Sequence, residues 1–216
     1  MQNILWLIVS YLLGSIPSGF LVSNLSGKDI LNIGWRKTSG SNVFMNVGKT
    51  QGVLTAFMDI FKGFLAVYGA QKLGLTLEFQ VYSGVLAVVG NNWSVFLKFA
   101  GGRGLGTYGG ALFAFSPQAF LIALSILVLG GIIWDAAIST FFTLAGAVYF
   151  SLQSQNFESV GLLTLFCLIP IFLKRLSPFK ELSFQNPKLF FSRLIFDDDH
   201  PHGFRIKRII GRMRKV

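Results

Sequence analysis

Charged residues make up only 13% of this 216-residue chain, where a soluble domain carries roughly 25%. Acidic side chains are the scarcest: 9 Asp and Glu stand against 19 Lys and Arg, a formal net charge of +10. With 52% hydrophobic residues and a mean hydropathy of +0.60, this excludes an ordinary water-soluble globule. The single cysteine, Cys167, lies in an apolar run and excludes an intrachain disulfide. Both histidines, His200 and His202, lie near the C-terminus, and the residues five places on are Arg205 and Lys207. A His-x4-Asp acyltransferase centre is therefore absent. The apolar part holds no cluster of His, Cys and carboxylates, so a metal site is not expected. Internal repeats and linkers are lacking too, which counts against a transporter built of two halves. Gly48-Lys49-Thr50 resembles the end of a P-loop, but the glycine that motif needs at position 43 is Val43. Gly104-Leu105-Gly106-Thr107-Tyr108-Gly109 matches a dinucleotide fingerprint by letter only. It opens an apolar helix, where small residues serve packing.

What is present is segregated. Eleven of the Lys and Arg residues fall between Lys174 and Lys215, and four more between Lys28 and Lys49. The stretches between them are long, apolar and almost uncharged, the pattern of membrane spans and their loops. The positive charge is read as topology selection and contact with anionic headgroups, so no nucleic-acid partner is expected. Asp197-Asp198-Asp199 reads as a solvated acidic run.

Apolar segments 4–24, 53–71, 80–98 and 159–174 are candidate spans. Met1 to Asn3 lacks a basic leader region, so Ile4 onward reads as the first span. Residues 105–151 are too long for one helix. Pro117 and Asp135 divide them into 105–116, 118–133 and 136–151. Basic loops at 25–52 and 98–104 and the basic tail should share the cytoplasmic side. Two spans separate the first two loops, and the three-way division leaves an even number before the tail. The expectation is an all-α, polytopic membrane helix bundle of about seven short transmembrane helices, with the N-terminus outside and the C-terminus cytoplasmic. Five crossings remain open if part of 105–151 is re-entrant. Residues 1–175 form the membrane domain and 176–216 a basic cytoplasmic tail. Within that tail, 176–200 reads as an amphipathic extension lying on the bilayer.

Two loops combine glycine, small hydroxyls, an amide and cations. The first runs from Gly34 through Arg36, Lys37 and Asn42 to Gly48-Lys49. The second holds Lys98, Gly101, Gly102, Arg103 and Gly104. Glycine lets backbone N–H groups approach an anion and the cations neutralise it. The second loop also opens a helix, whose N-terminus attracts negative charge. Together they suggest a phosphate site. Asp59 and Lys62, three residues apart within a span, are either part of that site or a self-neutralising pair.

In this order the motifs resemble the bacterial acyl-phosphate:glycerol-3-phosphate acyltransferase family. Gly14-Ser15-Ile16-Pro17-Ser18-Gly19 looks like its Gly-Ser-Ile-Pro-x-Gly, and Asp59-Ile60-Phe61-Lys62-Gly63 like its Asp-x-x-Lys-Gly. Val95-Phe96-Leu97-Lys98-Phe99-Ala100-Gly101-Gly102-Arg103-Gly104 is similar to its most specific stretch. The resemblance implies acyl transfer from acyl phosphate to the 1-hydroxyl of glycerol 3-phosphate, giving lysophosphatidic acid, at the bacterial inner membrane and without a cofactor. The candidate phosphate ligands are Arg36, Lys37, Asn42, Lys98, Gly101, Gly102, Arg103 and Gly104, with Asp59, Lys62 and His202 as candidate support. There are departures. Trp35 replaces a serine, Met45 falls on an arginine and Asn91 on a histidine, while Arg103 keeps the charge of a lysine. Arg36 and Lys37 would stand in for the missing arginine. The rival readings are a catalytically degenerate relative that binds lipid precursors or a partner enzyme, and a small transporter.

Overall fold

A computed structural model describes residues 2–177 and 187–197. Among these, every regular element is helical: α1 (Gln2–Ser15), α2 (Ser18–Leu25), α3 (Gly40–Asn46), α4 (Lys49–Lys72), α5 (Leu77–Asn92), α6 (Leu105–Phe115), α7 (Pro117–Ile133), α8 (Ala136–Gln153), α9 (Leu162–Arg175) and α10 (Pro187–Phe196). Four stretches are long and apolar enough to cross a membrane: Gln2–Leu25, Lys49–Lys72, Ala136–Gln153 and Phe157–Arg175. Ile4, Leu5, Ile132 and Ile169 point outward, each more than 60% exposed, as befits a lipid-facing surface. The division of residues 105–151 follows the sequence signals. Ser116 caps α7, its Oγ accepting from Ala119 N at 3.2 Å, and Pro117 takes the first helical position. Asp135 caps α8 in the same way, Oδ1 accepting from Ala137 N at 2.9 Å.

Two expected spans differ from the observed helices. Residues 4–24 are not one helix, because Pro17 lacks an N–H and separates α1 from α2. The carbonyls exposed by the break are not left unsatisfied. Ser94 Oγ donates to Ser15 O, and Lys62 Nζ donates to Ile16 O at 2.9 Å. The expected span 80–98 ends as a helix at Asn92. The chain then makes a 3-10 turn (Val95–Leu97) and folds back, so that Gly102 N donates to Asn91 O at 2.9 Å and Ser94 N to Ala100 O at 3.0 Å.

Helix packing rests on small residues at the crossings. A Cβ at Gly110 would fall on the carbonyl oxygen of Ile60, and one at Gly63 on that of Thr107, which draws α4 and α6 together backbone to backbone. Gly14 against Ala87 and Gly90 against Tyr11 do the same for α1 and α5. Around them lies an apolar core that includes Val67, Val88, Leu112, Leu144, Leu163 and Ile171. The Tyr108 hydroxyl, fully buried in this core, lies 2.8 Å from Thr164 Oγ1. Gly110→Leu must force α4 and α6 apart. We expect loss of folded protein in detergent extracts, measured by monodispersity on size exclusion. A monodisperse Gly110→Leu variant with wild-type thermal stability would contradict this close crossing.

Candidate active site

The two glycine-rich loops meet. Thr38 N donates to Gly101 O at 3.3 Å, and Arg103 Nη1 reaches Ser41 Oγ at 2.9 Å. Each loop is shaped from within. Asn42 is fully buried, and its amide donates to Ile33 O at 3.2 Å and Lys37 O at 2.9 Å while its Oδ1 accepts from Trp35 N at 3.1 Å. Its side chain is therefore committed to holding the first loop in shape rather than to a ligand. Gly101 and Gly104 are required sterically. A Cβ at Gly101 would meet the carbonyls of Asn91 and Asn92. At Gly104, with φ of 81°, it would also strike Asn92 Oδ1 and Val88. Gly104 begins α6 without a side-chain cap, so the first N–H groups of that helix are available to an anion.

Two cavities adjoin at these loops. The larger, about 1160 Å³, runs between α3, α4, α6, α7 and α8. One end is polar, with Ser39, Ser41, Arg103 and Asp59; the other is apolar, with Phe120, Leu124, Leu127 and Val128. The smaller, about 280 Å³, is lined by Arg36, Lys37, Lys174, Arg175 and Arg193 and, among the described residues, by one carboxylate, Asp197. Asp197 and Trp35 border both. The Arg103 guanidinium lies 4.7 Å from the centroid of the Trp35 ring, so Trp35 buttresses the cation.

Arg36, Lys37, Gly101 and Arg103 thus lie at the cavities, with Gly102 and Gly104 forming the turn between them. Lys98 lies elsewhere. It is exposed, sits at φ of 51° in the turn before the loop, and borders neither cavity. Asp59 and Lys62 form a buried pair at 2.8 Å, and Lys62 also donates to Asn91 Oδ1 at 2.7 Å. Lys62 is therefore fully engaged in joining α1, α4 and α5, while Asp59 shows one face to the large cavity. His202 lies outside the described residues.

The sequence reading missed Lys174, Arg175 and Arg193. A Lys-Arg pair closing a span satisfies the positive-inside pattern and carries no further local signal. Here both residues are buried. Lys174 Nζ reaches Phe99 O at 3.5 Å, and Arg175 donates to Ala137 O at 2.8 Å and Leu194 O at 2.9 Å. Asp197 needs correcting: it is not solvated. It is 6% exposed, accepts from Lys37 Nζ at 2.8 Å and pairs with Arg103. The left-handed turn at the end of α10 points its carboxylate inward, towards two cations that the loops leave at the cavity edge. Burial lowers the affinity of Lys37 for its proton, and Asp197 acts in the opposite sense. An anion beside Lys37 thus helps to keep it charged.

Known proteins resemble this chain along most of its length. A family model described as glycerol-3-phosphate acyltransferase matches residues 4–183. "Glycerol-3-phosphate acyltransferase 1" of Deinococcus radiodurans is 35% identical over 170 residues, which is 77% of this chain and 85% of that protein. "Glycerol-3-phosphate acyltransferase" of Endomicrobium trichonymphae is 42% identical over 125 residues, 57% of this chain. That match spans 63% of the relative, somewhat under two thirds of its length. A crystal structure of PlsY, an integral membrane glycerol 3-phosphate acyltransferase, in its glycerol 3-phosphate form superposes with a TM-score of 0.69 at 25% identity, covering 88% of this chain and all of that one. Its lysophosphatidic acid form shares the fold with a TM-score of 0.74 at 23% identity, covering 98% of this chain. A match running from the first helix to beyond the last span, on a helical fold that the solved enzyme shares, places this chain in the glycerol-3-phosphate acyltransferase family.

Proposed function

We propose that this protein transfers an acyl group from acyl phosphate to the 1-hydroxyl of glycerol 3-phosphate, giving lysophosphatidic acid and inorganic phosphate in phospholipid synthesis. One observation carries the reading: a cavity that is apolar at one end and polar at the other, where Arg103 lies, opens beside a small pocket lined with cations. The acyl chain fits against Phe120, Leu124 and Val128, with its phosphate at Arg103, Ser41 and the start of α6. Glycerol 3-phosphate fits the small pocket, gripped by Arg36, Lys37, Lys174 and Arg193. The substrate hydroxyl oxygen attacks the acyl carbonyl carbon, and the bond from that carbon to the phosphate oxygen breaks. The departing phosphate takes up the proton. An acyl phosphate is already activated, so the protein has to bring two anions together and stabilise developing charge.

This reading places seven crossings in a bacterial cell membrane, with the N-terminus outside. Residues 1–175 form the membrane domain, and the site and the basic tail 176–216 face the cytoplasm. The basic loops support it, since both glycine-rich segments lie at one end of the bundle with Lys174 and Arg175.

The test is purified protein in detergent given acyl phosphate and labelled glycerol 3-phosphate. Labelled lysophosphatidic acid should form, with one phosphate released per product. Binding of glycerol 3-phosphate without product would instead mark a non-catalytic relative.

A further inference from the structure

The cation set that would grip phosphate already holds an anion from its own chain. Asp197 follows α10, a helix beyond residues 4–183 that the family model matches. Its side chain is only 4% exposed. One oxygen takes the Lys37 ammonium at 2.8 Å and the other the Arg103 guanidinium. Two oxygens between an ammonium and a guanidinium are what a bound phosphate would also present. Asp197 stands at the junction of the two cavities, where the reacting ends of two substrates have to meet.

Polar contacts join α10 to the end of α9. Arg175 Nη1 donates to Leu194 O at 2.9 Å, and Arg193 Nη1 reaches Leu176 O at 3.5 Å. Ser192 and Arg193 are the buried residues of the helix, whereas Phe190 and Phe191 are 39% and 57% exposed. Phe196 lines the large cavity, and the Asp197 ion pairs fasten the end of the helix to the two loops. Those pairs are lost to any stronger anion that competes for Lys37 and Arg103.

We propose that α10 is a built-in competitor: Asp197 occupies the Lys37–Arg103 anion position, and the helix must withdraw before a substrate phosphate is gripped there. The inference rests on reading this site as phosphate-binding. A strap closed about nine-tenths of the time would weaken apparent phosphate affinity about tenfold.

The experiment compares the full-length wild type with Asp197→Asn and Leu194→Pro in detergent. The first removes the anion; the second breaks the helix that carries it and leaves the charge. Binding of inorganic phosphate and of glycerol 3-phosphate is measured beside the turnover kinetics. Both variants should bind each anion about five- to tenfold more tightly. Unchanged or weaker binding in folded Asp197→Asn would overturn the competitor and make Asp197 a scaffold. A fall in kcat with a flattened pH profile would overturn it in favour of a proton acceptor. Phosphate binding without turnover in the wild type would sink the proposed reaction and leave the competitor to be judged on binding alone. No phosphate binding in any variant would sink both.

Discussion

Arg103→Ala should lower acyl transfer by about 10²–10³-fold, the usual cost of removing one donor aimed at developing negative charge. Arg103 is the cation at the polar end of the elongated cavity. It is held by Ser41 at 2.9 Å and stacked on Trp35, with 12% of its side chain still exposed. Its guanidinium is positioned in advance, so the effect should fall on kcat more than on KM. Arg103→Lys keeps the charge but loses the fork, and should recover only part of the rate. The close crossings of α1 with α5 and of α4 with α6 do not involve this side chain, so the variant should still purify as a folded protein. Near wild-type turnover by Arg103→Ala would remove Arg103 from the reaction.

Lys62→Leu should be the most damaging substitution to folding. It strands the Asp59 carboxylate in a helix that crosses the membrane, and breaking one side of a buried ion pair costs about 3–5 kcal/mol. It also removes the donor to Ile16 O at the Pro17 break and the partner of Asn91 Oδ1. Thermal unfolding in detergent should show a sharply lowered midpoint. Asp59→Leu added to Lys62→Leu should recover part of the loss, because the stranded charge is gone while the Ile16 carbonyl still lacks its donor. A Lys62→Leu protein as stable as wild type would mean that the pair contributes nothing to the fold.

Local chemistry made some of this readable in advance. Ser116-Pro117 and Asp135 signal helix starts within a few residues of themselves, and the division of 105–151 follows. The meeting of the two loops was inferred from the distribution of positive charge, and the Thr38–Gly101 hydrogen bond joins them. Long-range partners were not readable. Hydropathy runs unbroken through Pro17, and the lysine that donates to the carbonyl beside the break is 46 residues away. Asp197 finds Lys37 across 160 residues, so nothing near it in sequence distinguishes it from a hydrated acid. Lys174 and Arg175 were visible, but topology alone accounted for them. Asn42 was expected as a ligand, yet its amide is used in holding the loop.

The glycine crossings of α4 and α6 also bear on how a greasy substrate enters and leaves. Two backbones in direct contact lose their close packing when they part, and no side chain is there to fill the gap, so that side of the groove behaves as a fixed wall. Leu124, Leu127 and Val128 on α7 form the opposite side and have ordinary side-chain slack. Under the proposed reaction, admission of longer tails, and exit of a bulky product sideways into the bilayer, would therefore fall to α7 and α8.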